Sequence, residues 1–285
     1  NDLLVTQILS LGIEKRKDIL LPLLVRLLRE QGEKIAGVCE RNDVKIRQLE
    51  GMEQGKGWYA LPGEALPGSP LTTICENGIQ YDVDVENGQK TGFFLDQKYN
   101  RRRVARIAQG HTVLDCFTHT GSFALNAAKG GAKRVTAVDV SAEACRMTGL
   151  NAVKNGVADR LEVRQADVFA LLDELEAAHT HPYDFIILDP PAFTKSRKTV
   201  QNAIGGYKDI NKKAMRLLPR GGYLATCSCS HFMRSELFEE MLRDAAREAQ
   251  VSLRQIECSQ QAPDHPILWN VPETNYLKFY IFQVV

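Results

Sequence analysis

Four short apolar runs in the middle of the chain each end in an aspartate, and segments with a helical pattern separate them. The runs are Val113 to Asp115, Val135 to Asp139, Leu161 to Asp167 and Phe185 to Asp189. Apolar runs of this length that alternate with helices are typical of strands buried on both faces of a parallel sheet. The sequence therefore predicts an α/β fold with a doubly wound sheet.

Three later runs extend this sheet to seven strands. Gly222 to Cys227 predicts the fifth strand, and a helix is expected after it, near Ser235 to Ala249. Two closing strands are expected near Val251 to Glu257 and Tyr276 to Val284. Ligands of such Rossmann-like sheets bind beyond the carboxyl ends of the strands, so the aspartates that end the runs are the first candidates for a site.

The first 70 residues are predicted to form a small α/β domain, with RNA or substrate binding as its candidate role. A strand near Leu3 to Leu9 precedes a helix from Lys17 to Gln31 with a leucine stripe, and a short strand is expected at Ala36 to Cys39. Glycine and proline are frequent in residues 51–70, which predicts a boundary near residue 70. The domain 71–285 then begins with a hairpin, because Asn77 and Gly78 favour a tight turn.

The segment after the first strand of the sheet has one glycine, Gly121, where the chain turns into a helix. Diphosphate cofactors such as NAD normally need two close backbone approaches, so a ligand without phosphates is favoured. Asp139 is placed to accept hydrogen bonds from ribose hydroxyls, and Asp167 from an adenine amino group. The alternative for each acid is a helix N-cap. The predicted cofactor-binding residues are Gln97, Asp115, Phe117, Thr118, Gly121, Ser122, Asp139, Asp167 and Asp189.

With the segment Asp189-Pro190-Pro191-Ala192-Phe193, these features resemble the S-adenosylmethionine-dependent methyltransferases over about residues 90 to 285. The resemblance implies a class I methyltransferase sheet and S-adenosylmethionine as the cofactor. Segments of this Asp-Pro-Pro type occur in methyltransferases that act on planar nitrogen-bearing groups or bases. Pro190, Pro191 and Phe193 are therefore expected to contact the methyl acceptor.

The segment Ala225 to Ser230 contains two cysteines, Cys227 and Cys229. Carbon 5 of a pyrimidine is a poor nucleophile, and a thiolate that adds to carbon 6 activates it. The segment resembles the strand-five motif of RNA 5-methylcytosine methyltransferases, which implies that Cys229 is the nucleophile and that Asp189 binds the cytosine. Residues 91–101, 189–196, 264–266 and 276–278 resemble the ribosomal RNA large-subunit methyltransferases of the RlmI type.

Two departures from the family pattern accompany this resemblance. Many 5-methylcytosine enzymes have a second cysteine where this chain has Ala192, so the base that removes the carbon-5 proton stays unassigned. RlmI-type enzymes begin with an RNA-binding PUA domain, and the expectation is that this chain lacks it. Two alternatives stay open: methylation of a guanine nitrogen without a covalent step, and a non-catalytic RNA-binding factor of ribosome assembly. The alternative for Cys227 and Cys229 is that both are small buried apolar residues, the commonest role of a free cysteine.

RNA is the predicted partner, although the net charge of the chain is only +1. Residues 195–220 contain eight basic residues and one acid, which predicts a phosphate-facing surface that includes Lys195 and Arg197. A second basic cluster covers residues 101–106. The seven cysteines are scattered without the paired spacing of a zinc site, and no long apolar run is present, so neither a metal nor a membrane is expected. A cytoplasmic location is predicted, and a homodimer stays an open alternative.

Overall fold

A computed structural model describes residues 2–194 and 196–285, apart from the side chain of residue 197. The chain divides into two compact units, the first up to Phe94 and the second from Leu95 to Val285. The division therefore lies later than the boundary predicted near residue 70. The predicted hairpin belongs to the first unit, where Arg41 Nη1 donates to the carbonyl of Val85 at 3.0 Å.

The first unit combines a three-stranded sheet, two helices and a separate hairpin. Its elements are β1 (Leu3–Thr6), α1 (Leu11–Glu14), α2 (Lys17–Glu30), β2 (Gly37–Arg41), a 3₁₀ helix (Lys45–Glu50), β3 (Lys56–Tyr59), β4 (Leu71–Glu76) and β5 (Ile79–Asp84). β2 lies between a parallel β1 and an antiparallel β3. The glycine- and proline-rich stretch predicted as a linker thus contains β3, whose pairing with β2 no local pattern indicated.

The hairpin of β4 and β5 has the predicted two-residue turn. Glu76 pairs with Ile79, and Asn77 and Gly78 between them have φ angles of 55° and 77°. Positive φ at both central residues defines the turn that matches the twist of paired strands, and Asn-Gly adopts it readily. On α2, in contrast, Leu21 is buried while Leu24 and Leu27 stay exposed, so the leucine stripe is only partly covered.

The second unit contains the predicted seven-stranded sheet. Its elements are α3 (Lys98–Ile107), β6 (Thr112–Cys116), α4 (Ser122–Lys129), β7 (Arg134–Asp139), α5 (Ala142–Lys154), β8 (Leu161–Gln165), α6 (Val168–Ala177), β9 (Phe185–Leu188), α7 (Val200–Leu217), β10 (Tyr223–Ser228), α8 (Ser235–Ala249), β11 (Leu253–Ser259) and β12 (Lys278–Val284). Three 3₁₀ helices, at Leu95–Gln97, Arg197–Thr199 and Pro272–Thr274, complete it.

The strand order is β11-β12-β10-β9-β6-β7-β8, with β9 at the centre and β6 beside it. The five strands from β6 to β10 are parallel, and only β12 runs antiparallel to its neighbours β10 and β11. Central strands such as β9 are buried along their whole length, as continuous apolar runs require. The carboxyl ends of β6, β7, β9 and β10 therefore open on one edge, and this edge carries the predicted site. None of the described helices is long and apolar enough to cross a bilayer.

Candidate active site at the carboxyl ends of the strands

The loop between β6 and α4 makes a tight turn at the centre of this edge. Phe117, His119 and Gly121 all have positive φ angles, of 64°, 54° and 85°. The backbone N–H of Thr118 donates to the carbonyl of Val138 at 2.9 Å, which fastens the loop to β7. Such conformations are costly for residues with a side chain and persist where the surroundings impose them, often at binding sites.

Asp115 stabilises this loop through hydrogen bonds of its carboxyl group. It is fully buried at the end of β6, and its Oδ2 accepts hydrogen bonds from Thr118 Oγ1 at 2.6 Å and from the N–H of Ala124 at 2.9 Å. The second contact caps the first turn of α4, where backbone N–H groups lack helical partners. Oδ1 of Asp115 has no hydrogen-bond partner among the described residues. Burial raises the pKa of Asp115 to about 7, against the hydrogen bond from Thr118.

This raised pKa predicts a pH-dependent stability. An aspartate in the unfolded chain titrates near 3.9, so between about pH 4 and pH 7 the folded protein holds a proton that the unfolded chain has lost. The free energy of unfolding should therefore decrease as the pH rises through this window. In Asp115→Asn the side chain stays neutral at every pH, so the free energy of unfolding should decrease less between pH 5 and pH 8 than in the wild-type protein. Urea unfolding at these two pH values measures the difference. An equal slope in both proteins would contradict the prediction.

Asp139 ends β7 and faces the same loop. Its Oδ2 accepts from the N–H of His119 and its Oδ1 from the N–H of Ser141, both at 2.9 Å. The carboxylate is half-buried, so it keeps lone pairs for a ligand. Asp167, in contrast, is exposed beyond the end of β8 and caps α6 by accepting from the N–H of Ala170 at 3.0 Å.

An aromatic group lies between these acids and the loop after β9. The ring centroids of Phe117 and Phe193 are 6.5 Å apart. The ring centroid of Phe169 lies 6.5 Å from that of Phe117 and 5.9 Å from that of Phe193. Phe117 and Phe193 were predicted site residues, whereas Phe169 was not. The only sequence feature that could have indicated Phe169 is its position two residues after Asp167. The group forms a partly exposed apolar wall on which a planar ring could pack.

Asp189 is the centre of a second cluster. Its Oδ1 accepts a hydrogen bond from Gln97 Nε2 at 3.1 Å and one from the thiol of Cys227 at 2.9 Å. Gln97 is itself fixed, because its Oε1 accepts from Asn100 Nδ2 at 2.7 Å. Burial raises the pKa of Asp189 and also that of the Cys227 thiol. The cluster therefore favours neutral forms of both groups.

Cys229 lies one residue beyond the end of β10 and differs from Cys227 in its surroundings. The alternative interpretation predicted that both cysteines are buried. Cys227 is buried, whereas Cys229 is partly exposed. Both neighbours of Cys229 are anchored. The hydroxyl of Ser228 donates to Tyr207 Oη at 3.1 Å, and the hydroxyl of Ser230 donates to the carbonyl of Thr194 at 3.0 Å. The segment is thus held on both sides of a partly exposed cysteine.

Comparisons with known proteins show the family of this chain. A family model described as S-adenosylmethionine-dependent methyltransferase matches residues 55–283. "Ribosomal RNA large subunit methyltransferase I" of Aliivibrio fischeri is 42% identical over 285 residues, which is all of this chain and 69% of that protein. The protein of the same name in Shewanella denitrificans is 43% identical, over 99% of this chain and 69% of its own length. The chain belongs to the ribosomal RNA large subunit methyltransferase I family of S-adenosylmethionine-dependent methyltransferases.

A solved structure shares the fold of this methyltransferase. A putative S-adenosylmethionine-dependent methyltransferase from Streptococcus mutans superposes with a TM-score of 0.79 at 24% identity, over 100% of this chain and 69% of that one. The expected class I methyltransferase fold and S-adenosylmethionine as cofactor are thereby confirmed.

The edge of the methyltransferase sheet contains groups that fit this cofactor. Asp139 is a partly exposed carboxylate at the strand end where ribose hydroxyls bind in such sheets. Asp115 has a buried oxygen with no described partner, and the aromatic group provides a wall for a purine ring. These residues, with the turn at Thr118, Gly121 and Ser122, are those that would hold it.

Gly121 offers a test of this turn in the methyltransferase. A Cβ added there would lie 2.8 Å from Thr148 Cγ2, and φ is +85°, whereas Gly156 has φ of +64° with open space around it. We expect Gly156→Ala to lower the free energy of unfolding by about 1 kcal/mol through backbone strain alone. Gly121→Ala should lose about 1–2 kcal/mol more and bind S-adenosylmethionine less tightly. Urea unfolding and calorimetry measure both effects, and equal losses in the two variants would contradict the prediction.

The basic run predicted to face phosphates lies mainly on α7 of the methyltransferase, where carboxylates of other helices pair with four of its residues. The ion pairs are Lys208 and Lys212 with Glu248, Lys213 with Asp173, and Arg216 with Glu176. The partners lie on α6 and α8, so the net positive charge of this surface is smaller than the sequence of α7 alone predicts. In the second cluster Arg101 is buried. Lys195 lies outside the described residues, as does the side chain of Arg197.

Proposed function

We propose that this methyltransferase forms 5-methylcytosine in 23S ribosomal RNA, with Cys229 as the covalent nucleophile. The names of the relatives support the substrate class. The observation that carries the mechanism is the partial exposure of Cys229 at the edge of the sheet where Asp139 and Asp189 also lie. A thiol in this place serves a pyrimidine, since an exocyclic amine needs no thiolate to accept a methyl group.

The chemistry assigns one step to each group. S-adenosylmethionine, when bound, supplies an electrophilic methyl group and leaves as S-adenosylhomocysteine, whose sulfur keeps the electron pair of the broken bond. The Cys229 thiolate adds to carbon 6 of cytosine, and the electron pair of the 5,6 double bond moves to carbon 5, which takes the methyl group. A base then removes the carbon-5 proton, the double bond re-forms, and the thiolate leaves carbon 6. The enzyme is thus regenerated with its thiolate.

Asp189 is proposed to bind the ring edge of the cytosine. Its contacts with described residues are both on Oδ1, which leaves Oδ2 for a ligand. The raised pKa of this carboxyl favours a protonated form that donates a hydrogen bond to the ring nitrogen N3. Such a bond stabilises the charge that moves into the ring when the thiolate adds. Pro190 and Pro191 are proposed to keep the carboxyl in place by fixing the turn after β9.

A surface cavity of the methyltransferase is proposed to admit the RNA. It has a volume of about 1060 Å³, and its wall includes His231, Phe232 and Arg234, which follow Cys229 closely in the chain. This volume suffices for a nucleotide. A base in folded RNA must leave its stack to reach the thiol, at a cost of a few kcal/mol, and stacking on aromatic side chains offsets part of it. A ribosomal RNA substrate places the reaction in the cytoplasm.

Trapping of the adduct tests the proposal. RNA that contains 5-fluorocytidine has no carbon-5 proton to lose, so after methyl transfer the enzyme should stay bound to it. We expect a complex that survives denaturing electrophoresis and forms only when S-adenosylmethionine is present, with the RNA-linked peptide containing Cys229. Methylation of unmodified 23S RNA at a guanine nitrogen, with no trapped complex, would overturn the proposal in favour of direct transfer. Cofactor binding without any methylation would favour the assembly-factor alternative.

A further inference from the structure

Lys278 is a buried cation with an unusual set of partners. Its side chain is 3% exposed, and its Nζ donates to the backbone carbonyls of Ser230 at 2.6 Å and Tyr276 at 2.8 Å. Among the described residues no carboxylate forms an ion pair with it. A buried ammonium without a negative partner is unfavourable, and such groups are retained chiefly where they have a function.

The pairing of the strands brings this ammonium to the Cys229 segment. Lys278 lies opposite Ser228 in the antiparallel ladder of β10 and β12. Its Nζ reaches past that position to the carbonyl of Ser230, two residues further along. The side chain of Lys278 therefore runs alongside the backbone of Cys229, the residue between the two serines. The electrostatic interaction of the ammonium with the thiol of Cys229 agrees with this geometry.

We propose that Lys278 is a positioning residue that holds the segment 228–230 in place and stabilises the thiolate of Cys229. The inference rests on the proposed nucleophilic role of that cysteine. No methyltransferase step passes through Lys278 itself. When the thiol ionises, its proton goes to solvent. The thiolate then provides the negative charge that the buried ammonium of Lys278 otherwise lacks among the described residues.

The other titratable groups that interact with this thiol or its neighbours among the described residues do not offer this charge. They are Tyr207 from α7, Cys227 from β10, Tyr276 before β12 and, beyond Cys227, Asp189 after β9. All of these are neutral or negative, so Lys278 is the cation of the described cluster. Burial lowers the pKa of Lys278 to about 8, although both cysteines raise it. The ammonium and the Cys229 thiol should therefore titrate as a coupled pair.

The pH dependence of Cys229 alkylation tests this inference without RNA or cofactor. Iodoacetamide reacts with the thiolate, and mass spectrometry of peptides separates Cys229 from the other six cysteines. In the wild-type protein we expect the midpoint of reactivity below the ordinary value of about 8.5. In Lys278→Met it should rise by about one unit or more, with alkylation about tenfold slower at pH 7, whereas Lys278→Arg should keep the low midpoint.

The controls separate charge from folding. The exposed Cys258 should react equally in all proteins, and Lys133→Met, a surface substitution before β7, should leave the Cys229 midpoint unchanged. If Lys278→Met does not fold, the wild-type midpoint decides: a value of about 9 or above overturns the inference. An unchanged midpoint in folded Lys278→Met also overturns it. Failure of the proposed function is seen separately, because Cys229→Ala would then still methylate RNA.

Discussion

Replacing Cys229 by alanine should reduce kcat for methylation of 23S RNA by about 1000-fold or more, while the Kd for S-adenosylmethionine stays within about twofold. The thiol lies beyond the end of β10, whereas the proposed cofactor contacts lie after β6 and β7. Loss of the proposed nucleophile should therefore remove the proposed covalent step and leave the cofactor-binding edge intact. Transfer of a radiolabelled methyl group to RNA measures the first quantity, and calorimetry the second.

Two variants control for the loss of a cysteine as such. Cys258→Ala removes an exposed thiol from β11 and should retain full activity. Cys229→Ser keeps the size of the side chain, and it should fail to form the adduct with 5-fluorocytidine RNA, since a serine hydroxyl is a much weaker nucleophile at neutral pH. An adduct formed by Cys229→Ser, or more than a tenth of wild-type activity in Cys229→Ala, would contradict the assignment.

Replacing Asp139 by alanine should weaken S-adenosylmethionine binding by about 10- to 100-fold, which corresponds to about 1.4–2.8 kcal/mol. The substitution removes a carboxylate proposed to accept charge-assisted hydrogen bonds from the ribose. It also removes the acceptor that holds the N–H groups of His119 and Ser141, so the turn between β6 and α4 loses one of its supports. Calorimetric titration of the variant with the cofactor measures the loss directly.

A matched acid tests whether this loss is specific to the site. Asp159 is an exposed aspartate before β8 that pairs with Arg160. Asp159→Ala should bind S-adenosylmethionine as the wild-type protein does. Asp139→Asn keeps one acceptor oxygen, so its affinity should lie between those of the wild type and Asp139→Ala. A Kd within twofold of the wild type in Asp139→Ala would show that the ribose contact lies elsewhere.

The parts of the fold that the sequence predicted correctly depend on short-range patterns. Apolar runs that end in aspartate located β6, β7 and β9 because strands buried on both faces need continuous apolar side chains. The hairpin of β4 and β5 was predictable because Asn77 and Gly78 carry the turn in two adjacent residues. In each case the residues that decide the structure lie within one element.

The features that the sequence did not reveal depend on partners far along the chain. β3 is a strand because it pairs with β2, which glycine-rich composition could not indicate. The positive charge of α7 appeared larger in the sequence because Glu248 and Asp173, which pair with its lysines, belong to other helices. The hydrogen bond from Gln97 to Asp189 likewise joins residues 92 positions apart. Spacing along the chain carries no information on such contacts.

The position of β12 has a consequence for how the protein is synthesised. β12 is the last of the seven strands in chain order, yet it lies between β10 and β11. In a nascent chain that has been synthesised only as far as β11, this strand has no neighbouring strand with which to pair. β10 then keeps one open edge, which is prone to association with other chains. Because Lys278 begins β12, the surroundings of Cys229 are complete only after this last strand of the sheet has been synthesised, and a chain cut before β12 would possess Cys229 without them.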